Sequence, residues 1–295
     1  MNTKSGFISI VGRPNVGKST LLNSILGQKI AIVSDKPQTT RNRIQGIHTT
    51  ERGQIIFIDT PGLHKPKHRL GEYMVNATNS TLREVDLILY VVDATCPPGP
   101  AEEAIVRMLE GLGVPVFLVI NKIDLVGETI LTDHRQRYAC KMNYVNQIEI
   151  SAENGTHVNE LIERLFDALP EGPIYYPEDD ITDQPERFLV GEYIREKALR
   201  LTHDEVPHSI AVEIEAFEER PNGKVYIRAA IYTERETQKG IMIGKNGAML
   251  KKIGALARHD MEELLGCSVY LELWVKVRKD WRNNEAQLRN LGYTP

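Results

Sequence analysis

Two short stretches of this chain put glycines and a lysine where they can meet phosphate. The first, "GRPNVGKST" at residues 12–20, fits G-x-x-x-x-G-K-[ST] in full, after an apolar run and before a helical one. Gly12 and Gly17 let the backbone curl, so that the N–H groups from Asn15 and Val16 to Thr20 face phosphate oxygens. Lys18 brings a positive charge to the β- and γ-phosphates, and Ser19 offers a hydroxyl to Mg²⁺. Asp59, in "DTPG" at residues 59–62, is expected to hold the same ion through water, and the Gly62 N–H to sense the γ-phosphate. In the polar stretch "QTTR" at residues 38–41, Thr39 or Thr40 supplies a second hydroxyl to Mg²⁺, and Thr40 is favoured. The expected metal set is Ser19, Thr40 and Asp59, and the expected catalytic groups are Lys18, Thr40 and Gly62.

Two further stretches name the base. "NKID" places Asn121, Lys122 and Asp124 after an apolar strand, and the Asp124 carboxylate suits the adjacent N1–H and 2-amino donors of guanine, a pair that adenine lacks. "SAENG" places Ser151 and Ala152 after the next strand, where the Ala152 N–H is expected to meet guanine O6. The nucleotide is therefore GTP or GDP.

The second glycine-lysine stretch, "IGKNG" at residues 243–247, has only two residues between its glycines and sits between helical runs. On its own, G-x-x-G is a common helix–helix turn. Here it follows a helix and two strands, and precedes the helical "AMLKKIGALARHDMEELL" and a third strand. That order is the KH arrangement, whose loop clamps a nucleic-acid backbone. Ile243, Gly244, Lys245, Asn246, Gly247 and Lys251 are the expected RNA contacts, with Ile241 and Met242 joining Ile243 as an apolar floor. Residues 239–289 hold 10 Lys and Arg against 6 Asp and Glu. Trp274 and Trp281 are candidates to stack on bases, though Trp274, in an apolar strand, reads as core.

The elements that must position these groups divide the chain in two. Residues 1–170 alternate short β-rich runs, such as "GFISIVG", "DLILYVVDA" and "VPVFLVINK", with helical patterns. This is an α/β layout with a mostly parallel sheet covered by helices on both faces. Residues 171–186, proline-rich and acidic, read as a linker, and 187–295 as a smaller α+β domain. The polar stretch from Ser34 to Arg43 reads as loop.

Composition sets the outer bounds. The chain has 295 residues, 41% hydrophobic and 26% charged, with a net charge of −4. No run approaches the ~18 apolar residues of a membrane span, and the start lacks a signal peptide pattern, so a cytoplasmic protein is expected. The cysteines, Cys96, Cys140 and Cys267, form no CxxC pair and are expected to be buried or partly buried thiols.

The motifs together resemble one family. "GRPNVGKS", "PQTTR", "DTPGL", "NKID" and "SAENG" are similar to the Era-like branch of the P-loop GTPases, and "DEVPHS", "IGKNG" and "LELWVKVRKDWR" are similar to its type II KH segments. The resemblance spans essentially the whole chain. It implies GTP hydrolysis, binding of the 3′ end of 16S rRNA, a role in maturing the 30S ribosomal subunit, and peripheral association with the inner face of the bacterial membrane, for which the sequence carries no anchor. A monomer is expected. Leu63 stands where Ras-type GTPases carry a water-orienting glutamine, so another group must do that work. Related potassium-dependent GTPases imply K⁺ near Asn15, which adds Asn15 to the expected catalytic groups, and His64, Lys65 and Lys67 follow the switch loop. A nucleotide-indifferent RNA chaperone and a membrane-associated regulatory GTPase with a protein partner are the alternatives.

Overall fold

The computed structural model describes residues 3–63, 66, 68–204 and 206–293; His64, Lys65 and Lys67 lie outside the described residues. The chain forms two compact units. One comprises residues 1–31, 40–65 and 74–183, and the other residues 32–39, 66–73 and 184–295. Each is described by itself.

The first unit is built on a six-stranded sheet of order β2-β3-β1-β4-β5-β6. Its strands are β1 (Lys4–Val11), β2 (Ile44–Thr50), β3 (Gly53–Asp59), β4 (Leu87–Asp93), β5 (Val116–Asn121) and β6 (Asn146–Glu149). All pairings are parallel except β2 with β3. The parallel strands are apolar on both faces because both are covered: β3 and β5 are buried throughout. Helices α1 (Lys18–Leu26), α2 (Arg69–Thr81, of which 74–81 belong to this unit), α3 (Pro100–Glu110), α4 (Glu128–Ala139) and α5 (Val158–Ala168) accompany these strands in chain order. On α5, Val158, Leu161, Ile162, Leu165 and Phe166 form a buried stripe at helical spacing. Residues 171–183 hydrogen-bond along this unit: Tyr175 and Tyr176 donate backbone N–H groups to Gln54 Oε1, each at 2.9 Å, and the Thr182 hydroxyl donates to Gln45 O at 2.6 Å.

The second unit carries α6 (Glu186–Leu201), β7 (Ala211–Glu219), β8 (Val225–Thr233), α7 (Glu236–Ile243), α8 (Ala248–Leu265), β9 (Val269–Val277) and α9 (Glu285–Asn290). Its sheet has the order β7-β8-β9, antiparallel then parallel. A single core packs Val190 and Ile194 of α6 with Ile227 and Ile231 of β8, Met242 of α7, and Ile253, Ala257 and Met261 of α8. Ile32 belongs to the same core.

Three expectations change. Trp274 is 53% exposed, not core. In β9 the inward set is Val269, Leu271, Leu273 and Val275, and strand alternation puts Trp274 on the other face, where its Nε1–H donates to Glu272. Trp281 is the core tryptophan, fully buried with its Nε1–H on Ser209 O at 2.8 Å. Cys96 and Cys140 are exposed, at a loop and at the end of α4, and only Cys267 is partly buried. No helix among the described residues is long and apolar enough to cross a membrane.

Candidate functional site

The parallel strands β1, β3, β5 and β6 all point the same way, so the segments that follow them gather at one edge of the sheet, the carboxyl edge where α/β sheets bind ligands. Those segments are the phosphate loop, "DTPG", "NKID" and "SAENG". Gly12 turns at φ +156 against β4, where a Cβ would lie 2.3 Å from Val91 O. Gly17, the N-cap of α1, sits at φ +97, and a Cβ there would meet Asn121 Nδ2 at 2.2 Å. Neither place admits a side chain. Gly62 is constrained by packing alone, because a Cβ there would lie 2.9 Å from Pro14 N. The DTPG turn thus lies directly against the phosphate loop, and Leu63 N–H donates to Gly12 O at 3.4 Å.

Lys18 is buried, its Nζ donating to Arg13 O at 3.0 Å and Gly12 O at 3.3 Å. Burial lowers its pKa, and the nearby Asp59 opposes the shift. Asp59 is fully buried, and burial raises its pKa, with Lys18, Ser19 and Thr40 opposing.

The three expected metal ligands come together. Ser19 Oγ donates to Asp59 Oδ2 at 2.6 Å and lies 3.0 Å from Thr40 Oγ1, which is 3.3 Å from Asp59 Oδ2. The second oxygen, Asp59 Oδ1, is buried with no hydrogen-bond partner. A buried carboxylate with an orphaned oxygen and two hydroxyls beside it is an all-oxygen set of the kind that suits Mg²⁺. Thr39 is not part of it: its hydroxyl donates to Lys36 O at 2.6 Å.

The base-side residues divide into braces and contacts. Asn121 ties three segments together, its Nδ2 donating to Val16 O and its Oδ1 accepting from Ala152 N–H, both at 2.9 Å. The Ala152 N–H assigned to guanine O6 therefore has a protein acceptor in this structure. Lys122, in the left-handed region at φ 67, donates from Nζ to Asn15 O at 2.8 Å and pairs with Asp93. Asp93 works against its own burial, yet Lys122 and Thr95 hold its carboxyl below the usual range. Asp124, expected to meet the base, is exposed. Ser151 is buried and its Oγ accepts from Asn154 N–H at 3.2 Å, closing the "SAENG" turn. Asn15 is exposed at φ 66, while Leu63 packs its side chain against the core of this unit. Leu63 is thus a packing residue.

In the second unit, the "IGKNG" loop joins α7 to α8. Gly244 (φ 70), Asn246 (φ 52) and Gly247 (φ 77) all take positive φ, and Lys245 and Asn246 are exposed. A groove of about 450 Å³ runs from this loop along α8, lined by Gly247, Leu250, Lys251, Gly254, Ala255, Arg258, Leu271 and Leu273. Its floor is not the one expected: Met242 is fully buried in the core and Ile241 is half exposed. The apolar floor comes instead from one face of α8 and from β9. The signal was present in the sequence as 247, 250/251, 254/255 and 258, a helical repeat with small residues in its middle.

A family model described as a 50S ribosome-binding GTPase matches residues 7–122, and a KH domain model matches residues 205–282. The chain is 55% identical to the GTPase Era of Carboxydothermus hydrogenoformans over 295 residues, covering 100% of this chain and 99% of that protein. The chain belongs to the Era family of GTPases. Two solved Era structures share its fold, each 43% identical and covering 99% of this chain and 100% of their own. An Aquifex aeolicus Era variant bound to GDP and AlF₄⁻ superposes with a TM-score of 0.96. An Era in complex with MgGDPNP and nucleotides 1506–1542 of 16S ribosomal RNA superposes with 0.94. As an Era-family member the chain is a GTPase, an α/β nucleotide domain joined to a KH domain.

Proposed function

We propose that this GTPase binds the 3′ end of 16S rRNA through its KH domain and uses GTP to time that binding during assembly of the small ribosomal subunit. Residues 1–170 act as the GTPase domain, 171–186 as the connection and 187–295 as the RNA domain. The observation that carries the reading is the groove behind the G-x-x-G loop. It has a volume of about 450 Å³, is apolar on its floor, and is edged by Lys251 and Arg258. The exposed Lys245 and the N-terminus of α8 stand at its mouth, where a sugar-phosphate backbone is favoured. The Era complex with 16S rRNA nucleotides supports the choice of RNA.

At the other site, residues 12–20 cradle the phosphates, Lys18 neutralises β/γ charge, and Asp124 selects guanine. Ser19, Thr40 and Asp59 would hold Mg²⁺, which would supply positive charge to offset the charge that develops on the phosphates. The Gly62 N–H reads the γ-phosphate, coupling the DTPG turn to the nucleotide state. Leu63, partly buried against the core, stands where a glutamine would orient the attacking water. Asn15, exposed on the phosphate loop, is the group that would hold K⁺ there and let a cation stabilise the transition-state charge. A hydrolysis rate equal in K⁺ and Na⁺ buffers excludes that role.

The test is a titration of a labelled oligonucleotide matching the 16S 3′ end, with a non-hydrolysable GTP analogue and then with GDP. Tighter binding with the analogue supports a GTP-timed RNA binder. Equal binding in both states supports the chaperone reading, because a ligand shifts an equilibrium only by its differential affinity. No binding in either state removes the RNA assignment.

A further inference from the structure

Within the first unit, the phosphate loop is tied to a helix that carries none of the nucleotide motifs. Arg13, the residue after Gly12, reaches the first turn of α3, where its Nη1 donates to Glu102 Oε1 at 2.7 Å. Glu102 is buried, and its other oxygen accepts from the Gly99 N–H at 3.1 Å, capping the helix. Capping alone does not call for burial. Glu103, in the same turn, is exposed and complements the helix N-terminus from there. A buried carboxylate is stable only with a partner charge as well as hydrogen bonds, and Arg13 supplies that charge.

What the pair does follows from where Arg13 stands. Its carbonyl accepts from Lys18 Nζ at 3.0 Å, the shorter of the two bonds that hold this ammonium to the loop. The planar peptide carrying that carbonyl ends in Pro14, which has no N–H, so no donor of its own can orient it. On the other side Gly12 carries no side chain to restrict rotation. Arg13 thus lies between a free hinge and a peptide with one polar handle, and α3 holds it by its side chain. We infer that Glu102 is a positioning residue for the GTPase reaction: from the first turn of α3 it holds Arg13, and so fixes the carbonyl on which Lys18 rests as its ammonium meets the β- and γ-phosphates. This rests on the assignment of Lys18 to the phosphate charge.

The experiment measures single-turnover hydrolysis at saturating GTP, GDP affinity and melting for wild type, Glu102→Gln, Arg13→Gln, the double variant and Lys18→Ala. Glu102→Gln keeps the size of the side chain and loses the charge that holds Arg13. Each of the first two changes is expected to slow hydrolysis about tenfold, the scale of a lost hydrogen bond to a charged group, with GDP affinity changed by less than about threefold. The double variant is expected to be no slower than either single one, because both break the same link. Arg13→Lys, which keeps a cation for Glu102, is expected to recover part of the rate. If Lys18→Ala hydrolyses GTP as wild type does, the Lys18 assignment fails and the inference fails with it. If Lys18→Ala is impaired while Glu102→Gln or Arg13→Gln keeps the wild-type rate, or the two losses add, only the inference is overturned. A lower melting temperature for Glu102→Gln at an unchanged rate is the mark of a helix cap alone. Where Glu102→Gln does not fold, Arg13→Gln and Arg13→Lys, on the partly exposed partner, decide it, and a loss that lysine does not recover overturns the inference.

Discussion

The phosphate loop and the G-x-x-G loop use the same residue types in opposite surroundings. In the first, Gly12 and Gly17 are glycine because neighbouring atoms stand within 2.3 Å of where a Cβ would be, and Lys18 is buried against the loop's own carbonyls. In the second, Gly244 is packed against its own following helix, where a Cβ would lie 2.7 Å from Met249, but a Cβ on Gly247 would meet no described atom within 4 Å, and Lys245 is exposed. One loop is a closed cradle held by Asn121 and Lys122 at the end of β5, shaped in advance for a small polyanion. The other is an open edge, with conformation but little enclosure, suited to a long strand that enters and leaves. Spacing between glycines distinguishes them in the sequence; what distinguishes them physically is whether other segments lock the loop.

The largest effect that should separate the two is Gly17→Ala. A methyl at φ +97, 2.2 Å from Asn121 Nδ2, adds strain of about 1–3 kcal/mol, and GTP affinity should fall about tenfold to a hundredfold. Oligonucleotide binding in GDP buffer should be unchanged; isothermal titration of both ligands checks this, and a parallel loss of RNA affinity would show that the loops are not independent. Asp124→Ala should cost about 1.5–3 kcal/mol of GTP affinity, the scale of hydrogen bonds to a charged group, and should erase the preference for GTP over ITP, which lacks the 2-amino group. Retained discrimination in competition assays would move base recognition away from Asp124. Asn121→Ala removes the brace between Val16 and Ala152, leaving a buried N–H unpaired. It should lower the melting temperature and weaken nucleotide by about 1–3 kcal/mol, without altering base preference. The smallest effect belongs to the open loop's rim: Lys251→Ala should weaken oligonucleotide binding uniformly across sequences and reduce the salt slope by about one.

The first unit was largely legible because its chemistry sits at strand ends, where fixed spacing from a buried apolar run marks it. Strand β2 escaped notice because "IQGIHTT" is short on apolar residues and has a glycine in its middle. Gly46 is there because a Cβ would lie 2.7 Å from Leu22 and Leu26 of α1. Helix α2 was hidden by a polar sequence, "RLGEYMVNATNST", whose buried stripe of Leu70, Met74, Thr78 and Thr81 is half threonine. In the second unit the order of elements was readable and so was the small-residue repeat along α8, but that this face meets Leu271 and Leu273 of β9 to floor the groove is a tertiary fact. Helix α6 was the hardest case. "EYIREK" reads as a solvated face, yet Arg195, Glu196 and Lys197 are buried together, and only the coordinates show that their partners lie in residues 32–39 and in α8. Alternation in β9 was available to place Trp274 outside, but the apolar character of the run concealed it.

The measurement that bears most directly on the two-loop account is a pair of titrations on Gly247→Asp, chosen because φ +77 is tolerated by aspartate and the site is open, so the fold should persist. The account predicts wild-type affinity for the GTP analogue and loss of binding to the 16S 3′-end oligonucleotide, because an anion then stands where the RNA phosphate lies. Oligonucleotide binding that survives this change would contradict the assignment of "IGKNG" as the RNA clamp.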